Sequence, residues 1–370
     1  MSASGATLTA SFAGIDTNHL PQGAGFIYGT SASALIDTAY YNDGILSTSG
    51  SFSVAAGALN PNTTYYAKAF ITAYVGSTYV DVLSSNTLSF TTSAATWSLT
   101  AAERGCLEMP VVTGQENYVG TFYGSTTHTA ANRNYSYNYS YRYLGCLWVA
   151  YPLAPGHITG SYSSSGWADN SNVPAQYQVR NMYSNSYPSN FSDGADYTKG
   201  HQIPNADRKN TSLMNEQTYY MTNQTPQLGN KFNGSQWGGL EAAVRTQVTS
   251  FNDTIYVVTG ACYRKAGGTE TVKVLHANSN SSVTPKEVPV PNYYWKVLLK
   301  VRRTNGVVTS ASAIGFWFPH QDLTGTTYSS YAKSVSTIES YTGISFFANL
   351  PSGLVSGAKS NSNWNTFCSF

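Results

Sequence analysis

Residues 197–208 read YTKGHQIPNADR, and they gather Lys199, Gly200, His201, Asp207 and Arg208 in a chain that is only 10% charged. Histidine, with an ordinary pKa near 6.5, can be a neutral base at physiological pH. A second stretch, FNGSQWGGLEAAVRTQVTSF (232–251), spaces Trp237, Leu240, Val244, Val248 and Phe251 as one apolar helical stripe. Asn233, Trp237, Glu241 and Arg245 recur every four residues and drift along that same side. Unpaired buried polar groups are costly, so a helix that turns them inward must satisfy them. A metal ion with ordered water and a phosphate would do so. Two plainer accounts fit the same residues. Asn233 with Gln236 makes a helix N-cap and capping-box pair, and Glu241 with Arg245 is an ordinary i,i+4 pair. At about 1.5 Å rise per residue, Asn233 and Glu241 stand roughly 12 Å apart along the axis. Both can serve one metal cluster only if one acts through water.

The elements that would hold these groups are mostly strands. The 370 residues suffice for two domains, and 29 tyrosines among Ser, Thr, Asn and Gly suit strands and polar loops. From residue 6 to 92, ATLTASF, GAGFIYG, GSFSVAA, TTYYAKAFITAY and TLSFTT are separated by Gly, Asn, Asp and Pro signals. That spacing describes a sandwich of about seven short strands. LNPNTTYYAKAFITAYVGSTYV resembles the late strands of a fibronectin type III-like module, with Tyr65 or Tyr66 as its corner tyrosine. His19 stands in a loop of this part and reads as solvated. TTSAATWSLTAAE (91–103) reads as a linker. The expected division is a β-sandwich over 1–94, a linker over 95–103 and an α+β domain over 104–370.

In the second part, CLWVAYPL (146–153), TIYVVTGACY (254–263), YYWKVLLKV (293–301) and SAIGFWF (312–318) read as buried strands. Helices are expected at about 234–251 and over 335–342. NYSYNYSYRY (134–143) sets five tyrosines on one strand face, either as a half-buried strand or as a surface on which bases could stack. Residues 1–100 carry a net charge of −3 and the remainder +5, so an anionic partner should prefer the second part.

No apolar run approaches the roughly 18 residues that span a bilayer. MSASGATLTA lacks the basic and apolar regions of a signal peptide, so the chain is cytosolic or its leader was removed before numbering. Cys106, Cys146, Cys262 and Cys368 have no metal-ligand spacing and favour disulfides in an exported protein. Three pairings are possible, of which Cys106 with Cys368 and Cys146 with Cys262 is favoured; four buried thiols are the alternative.

Taken in order, KGHQIPNADR, TNQTPQ (222–227) and FN-x3-W-x2-LE-x3-R (232–245) resemble the DNA/RNA non-specific endonuclease family, of the Serratia nuclease type with a ββα-metal (His-Me) finger. LWVAYPL, YVVTG, YWKV and IESYTGISFFANLP extend the likeness over roughly 104–365, in the flavour of the family's Bacteroidetes branch. The resemblance implies a central antiparallel or mixed sheet and hydrolysis of DNA and RNA to 5′-phosphorylated fragments. His201 would be the general base, Asn233 the protein ligand of Mg²⁺ (with Mn²⁺ as a substitute), and Glu241 the acceptor for a water on that ion. Asn223 matches an active-site asparagine, and Arg245 a phosphate-side arginine. Two departures stand out. Thr198-Lys199-Gly200-His201 replaces Asp-Arg-Gly-His, so an ammonium stands for a guanidinium that could grip phosphate with two donors. Upstream, SSSGW (163–167) has Ser165 where the family often has arginine, and Arg180 and Arg208 are the nearest replacements.

The implied protein is a secreted, periplasmic or cell-surface endonuclease whose β-module is a spacer or docking domain. The alternatives are a nucleic-acid or surface-binding protein on a decayed nuclease fold, and a phosphodiesterase for small nucleotides. Oligomeric state is not legible.

Overall fold

The computed structural model describes every residue except 1–4, 17, 42–46, 58, 60–62, 94–105, 112–117, 165, 180–190, 192–195 and 279–285. The chain divides into two compact units, Met1–Trp97 with Gly114–Asn117, and Ser98–Thr113 with Tyr118–Phe370.

In the first unit the described residues form β1 (Gly5–Phe12), β2 (Gly23–Gly29), β3 (Asp37–Tyr40), β4 (Gly50–Gly57), β5 (Thr64–Val75), β6 (Thr78–Leu83) and β7 (Leu88–Thr91). β1 and β4 make one antiparallel ladder, while β3-β2-β5-β6 make a second sheet in which β7 also pairs β5. Period-two alternation explains the packing. Leu8 lies across from Val54 and Ala10 from Phe52, and Leu8, Phe52 and Val54 point inward. There they meet Phe26, Tyr65, Ile71 and Phe90 of the other sheet. Burying each such large side chain contributes about 1.5–3 kcal/mol. Tyr65 is a core residue, its ring stacked 5.8 Å from that of Phe90. His19 lies at the surface, bonded to Asp16 at 2.7 Å and stacked on Tyr74.

The second unit is built on a seven-stranded antiparallel sheet. Its strands in chain order are β8 (Tyr118–Tyr123), β9 (Arg133–Ser140), β10 (Gly145–Leu153), β11 (Tyr197–His201), β12 (Gln224–Leu228), β13 (Ile255–Cys262), β14 (Val274–His276), β15 (Glu287–Pro289), β16 (Tyr293–Thr304), β17 (Val307–Pro319) and β18 (Ala332–Lys333). The large sheet runs β18-β17-β16-β13-β10-β9-β8; β11 pairs β12, and β14 pairs β15. All four strands expected from apolar runs lie in it. The tyrosine stripe is core. Tyr135, Tyr137 and Tyr139 are buried, and Tyr135 and Tyr139 donate to the carbonyls of Gln217 and Tyr177. The strand ends at Ser140, so Tyr141 and Tyr143 lie in the turn beyond it, stacked on Tyr177 and Tyr263.

One face of the sheet receives the helix Gly238–Phe251, whose Leu240, Val244, Val248 and Phe251 are buried with Trp237 before it, as the stripe requires. The helix begins later than its spacing suggests. A wide turn over Gly229–Trp237 precedes it, and Ser235 (φ −108°, ψ −123°) breaks the helical path. Asn233 therefore accepts the Gly238 N–H through its backbone oxygen, and its side chain does not cap the helix. The expected helix Val335–Thr342 is present, started by the Ser334 hydroxyl and ended by left-handed Gly343.

Neither expected disulfide is formed. Cys146, Cys262 and Cys368 are thiols. The ladder between β10 and β13 ends at Trp148 and Gly260, two residues short of either cysteine, and no bond joins Cys146 to Cys262. Cys146 instead points at the carbonyls of Asn138 and Trp148, and Cys262 at that of Arg264. The export reading loses the support that bridges would have lent it.

Candidate active site

β11 and β12 form an antiparallel pair in which His201 lies opposite Gln224, followed by the 229–237 turn and the long helix. The order is strand, strand, helix. Alternation along β11 puts Lys199 and His201 on one face and Gly200 on the other. Gly200 leaves room there, because a Cβ would lie 2.1 Å from Gln227 Cδ and the buried Gln227 side chain would have to move.

His201 is packed by rings. Trp167 lies 4.6 Å from it between centroids, and Tyr219 meets it edge-on at 4.8 Å. Its Nε2 is buried and, among the described residues, has no hydrogen-bond partner. Burial alone lowers its pKa to about 4, so the imidazole is neutral at physiological pH. Lys199 is buried, with Nζ 5.6 Å from the centre of the Trp167 ring, and burial lowers it to about 8.

Asn233 and Thr198 join the strand to the turn. Asn233 Nδ2 makes a long 3.5 Å contact with Thr198 Oγ1, and among the described residues its Oδ1 accepts nothing. Beside Thr198 opens a cleft of about 250 Å³, lined by residues that include Asp196, Asn230 and Lys231.

The helix carries a second cluster, of charged groups. Burial raises Glu241 to about 7; Asp207 adds to the rise, and Lys296, Arg245 and Trp237 oppose it. Arg245 donates to Asp207 Oδ1 at 3.0 Å, and Tyr151 donates to Asp207 Oδ2 at 2.8 Å. Lys296 is fully buried on β16, donating to Thr259 at 3.0 Å and lying 4.6 Å from the Trp237 ring centre. Its pKa is lowered by burial against the pull of Glu241 and Asp207.

Two expected residues sit elsewhere. Asn223 is fully buried and clips the turn after His201, accepting from Ile203 N and donating to the carbonyls of Ile203 and Thr218. Arg208, expected on the phosphate side, is also fully buried. It donates to the Asn134 side chain and to the carbonyls of Asn134, Pro152 and Asp207, which turns its donors to the interior. Its neighbour Asp207 is the member of that pair that meets Arg245. Arg180 and Ser165 lie outside the described residues.

Trp167, Tyr219 and Lys296 were not singled out by spacing. Only Lys296 carried a local signal, a lone cation inside the apolar run YYWKVLLKV. The chemistry of the two clusters would suit proton uptake at His201, cations beside an anion, and a water at Glu241.

Comparison with known proteins finds sequence similarity to nucleases. Nuclease C1 of Cunninghamella echinulata var. echinulata is 29% identical over 163 residues, 42% of this chain and 59% of that protein. The nuclease of Nostoc sp. is 27% identical over 207 residues, 55% of this chain and 67% of that protein. The nuclease of Serratia marcescens is 27% identical over 225 residues, 58% and 72% of the two chains. The first relatives are spanned over 57–61% of their own length. A chain from the crystal structure of an EndoG/EndoGI complex has a TM-score of 0.48 at 20% identity, covering 62% of this chain and 88% of that one. Residues 113–353 match the family model described as DNA/RNA non-specific endonuclease, and by that match over more than half its length the chain belongs to this family.

Proposed function

We propose that the chain is a metal-dependent endonuclease that hydrolyses phosphodiester bonds of DNA and RNA, with His201 as general base. The observation that carries this reading is the neutral, ring-packed His201 on the same strand face as Lys199, on a strand tied through Thr198 to Asn233. A phosphodiester repels hydroxide, so hydrolysis needs an in-line water, a base to deprotonate it, and cations on the phosphate.

Among the described residues no three His, Cys, Asp or Glu side chains could cage a metal. The donor set suits an ion that keeps most of its water, as Mg²⁺ does and as Mn²⁺ could in its place. Asn233 would hold it through Oδ1, and when bound it would supply positive charge to the phosphate and the leaving oxygen. The chain's own groups do the rest. His201 takes the proton of the attacking water, Glu241 accepts a hydrogen bond from water beside it, and Lys199 and Arg245 offset phosphate charge. Asn223 keeps the turn after His201 in place. Cleavage that leaves the phosphate on the 5′ side, export from the cell, and a fibronectin III-like character of the first unit belong to this proposal too. Lys199 lacks the two-donor fork of arginine, so phosphate grip is weaker here than with the Asp-Arg-Gly-His form.

Plasmid DNA and bulk RNA are incubated with Mg²⁺, with and without EDTA, using wild type and His201→Ala. Degradation of both that needs metal and His201 is expected. Full activity of the variant would remove His201 as base. Binding without cleavage under Mg²⁺ or Mn²⁺ would support the alternative of a nucleic-acid-binding module on a nuclease fold, which the loss of the family's arginine at Lys199 motivates.

A further inference from the structure

We propose that Trp167 is a positioning residue that holds the His201 imidazole and the Lys199 ammonium in place, doing by ring packing what a hydrogen-bonded carboxylate does for many catalytic histidines. The inference deepens the reading of His201 as base and rests on it.

An imidazole that acts as base is commonly oriented by a hydrogen bond to its second nitrogen, which fixes the tautomer and the ring plane. Among the described residues nothing bonds to either nitrogen of His201, and Nε2 is buried without a partner. Two rings hold it instead. Trp167 leans over it at 4.6 Å with 42° between the planes, and Tyr219 stands perpendicular at 4.8 Å. Tyr219 also meets Trp167 at 5.4 Å, so the three rings close on one another.

The frame around the rings is stitched to the backbone. Ala168 N donates to Tyr219 O at 3.1 Å, and Met221 N donates to Ala168 O at 2.8 Å. Asn205 Nδ2 donates to the Tyr219 hydroxyl at 2.8 Å. Trp167 is 5% exposed and packs with Tyr197, Met221 and Val290. The same indole is the surface over which Lys199 Nζ lies, 5.6 Å from the ring centre. Such a cation–π contact strengthens when the cation is desolvated. One side chain therefore sets the distance between the base and the cation nearest it in the strand.

The titratable groups around the imidazole are few. Lys199 comes from its own strand and Tyr219 from the segment after the short helix Ser212–Gln217; neither shifts His201, whose proton affinity is lowered by burial alone. Replacing Trp167 by a smaller aliphatic residue admits water to Nε2 and frees the ring to turn.

The test uses the full chain. Histidine Cε1 signals are titrated by NMR without metal in wild type, Trp167→Leu, Trp167→Phe and Tyr219→Leu, and plasmid cleavage with Mg²⁺ gives kcat and KM. In Trp167→Leu the His201 midpoint should rise from about 4 by more than one unit, towards the ordinary value of about 6.5. kcat should fall about 100-fold, the scale of a misplaced catalytic group, with KM changed far less. Trp167→Phe should restore most of both, and Tyr219→Leu should shift the midpoint in the same direction. A folded Trp167→Leu protein whose His201 titrates as in wild type would overturn the proposal, even if kcat fell. If Trp167→Leu does not fold, the same unmoved midpoint in Tyr219→Leu would overturn it. Should wild type fail to cleave at all, the nuclease reading fails, while the metal-free titration still decides whether Trp167 holds the imidazole.

Discussion

His201 and Glu241 are both half-buried ionisable groups, on β11 and on the long helix, and their surroundings differ in kind. Around His201 there are rings and no charge that shifts it, so burial alone lowers it to about 4. Around Glu241 stand Asp207, Arg245 and Lys296, and the carboxyl rises to about 7 from burial against the pull of two cations. A group governed by packing alone is indifferent to the loss of any one charge. A group held in a balance of charges moves with each of them. Protonation follows the same split: between about pH 4 and 7 the imidazole is already neutral while the carboxyl still holds its proton. In the proposed role Glu241 is the acceptor for a water, which ionisation strengthens, so the acid limb of the rate profile is expected to belong to Glu241.

The sharpest way to break this comparison is to remove the base. His201→Ala should lose about 10³–10⁴ of the cleavage rate, the upper range for a general base, measured as plasmid nicking under saturating Mg²⁺. A loss under tenfold would mean that the ring-packed wall holds no base.

Arg208 tests whether a buried cation near the site is functional or structural. Its truncation leaves Asn134 and three carbonyls without their partner, so Arg208→Ala should destabilise by about 3–5 kcal/mol in urea unfolding. The residual folded fraction should cut at near wild-type rate; a stable but inactive Arg208→Ala protein would return Arg208 to the phosphate side.

Glu241→Gln removes the charge and keeps the shape. We expect about a 100-fold fall in kcat above pH 8 and disappearance of the acid limb near 7. A limb that survives unchanged would assign it to another group.

The smallest expected effect is the most specific. Lys296 lowers the Glu241 pKa, so Lys296→Met should raise it and move the limb to higher pH by about one unit, which is about 1.4 kcal/mol. The His201 signals should not move in the same protein, because Lys296 contributes nothing to them. A matching shift of both groups would show that the two walls are coupled after all.

Much of the frame was legible because it rests on local periodicity. The apolar stripe from Trp237 to Phe251 and the helix Val335–Thr342 followed from spacing and caps. The start of the long helix did not, since Ser235 breaks a path that its neighbours' spacing would allow. NADR placed an acid beside a base without saying which turns inward, and the structure buries both, Arg208 on backbone oxygens and Asp207 under Arg245. The cysteine pairs were beyond reach because pairing depends on how distant segments meet in space, and the thiols of Cys146, Cys262 and Cys368 stay unbridged.

By itself the sequence determined the apolar strands, the stripe of the long helix and the motif that carries Lys199, His201, Asn233, Glu241 and Arg245. Those follow from side-chain spacing along one stretch of chain. Only the tertiary structure decided which of these groups is neutral and which is held in a charge balance. Desolvation and Coulomb interactions act through space, and the residues responsible, Trp167, Tyr219 and Lys296, arrive from other parts of the chain.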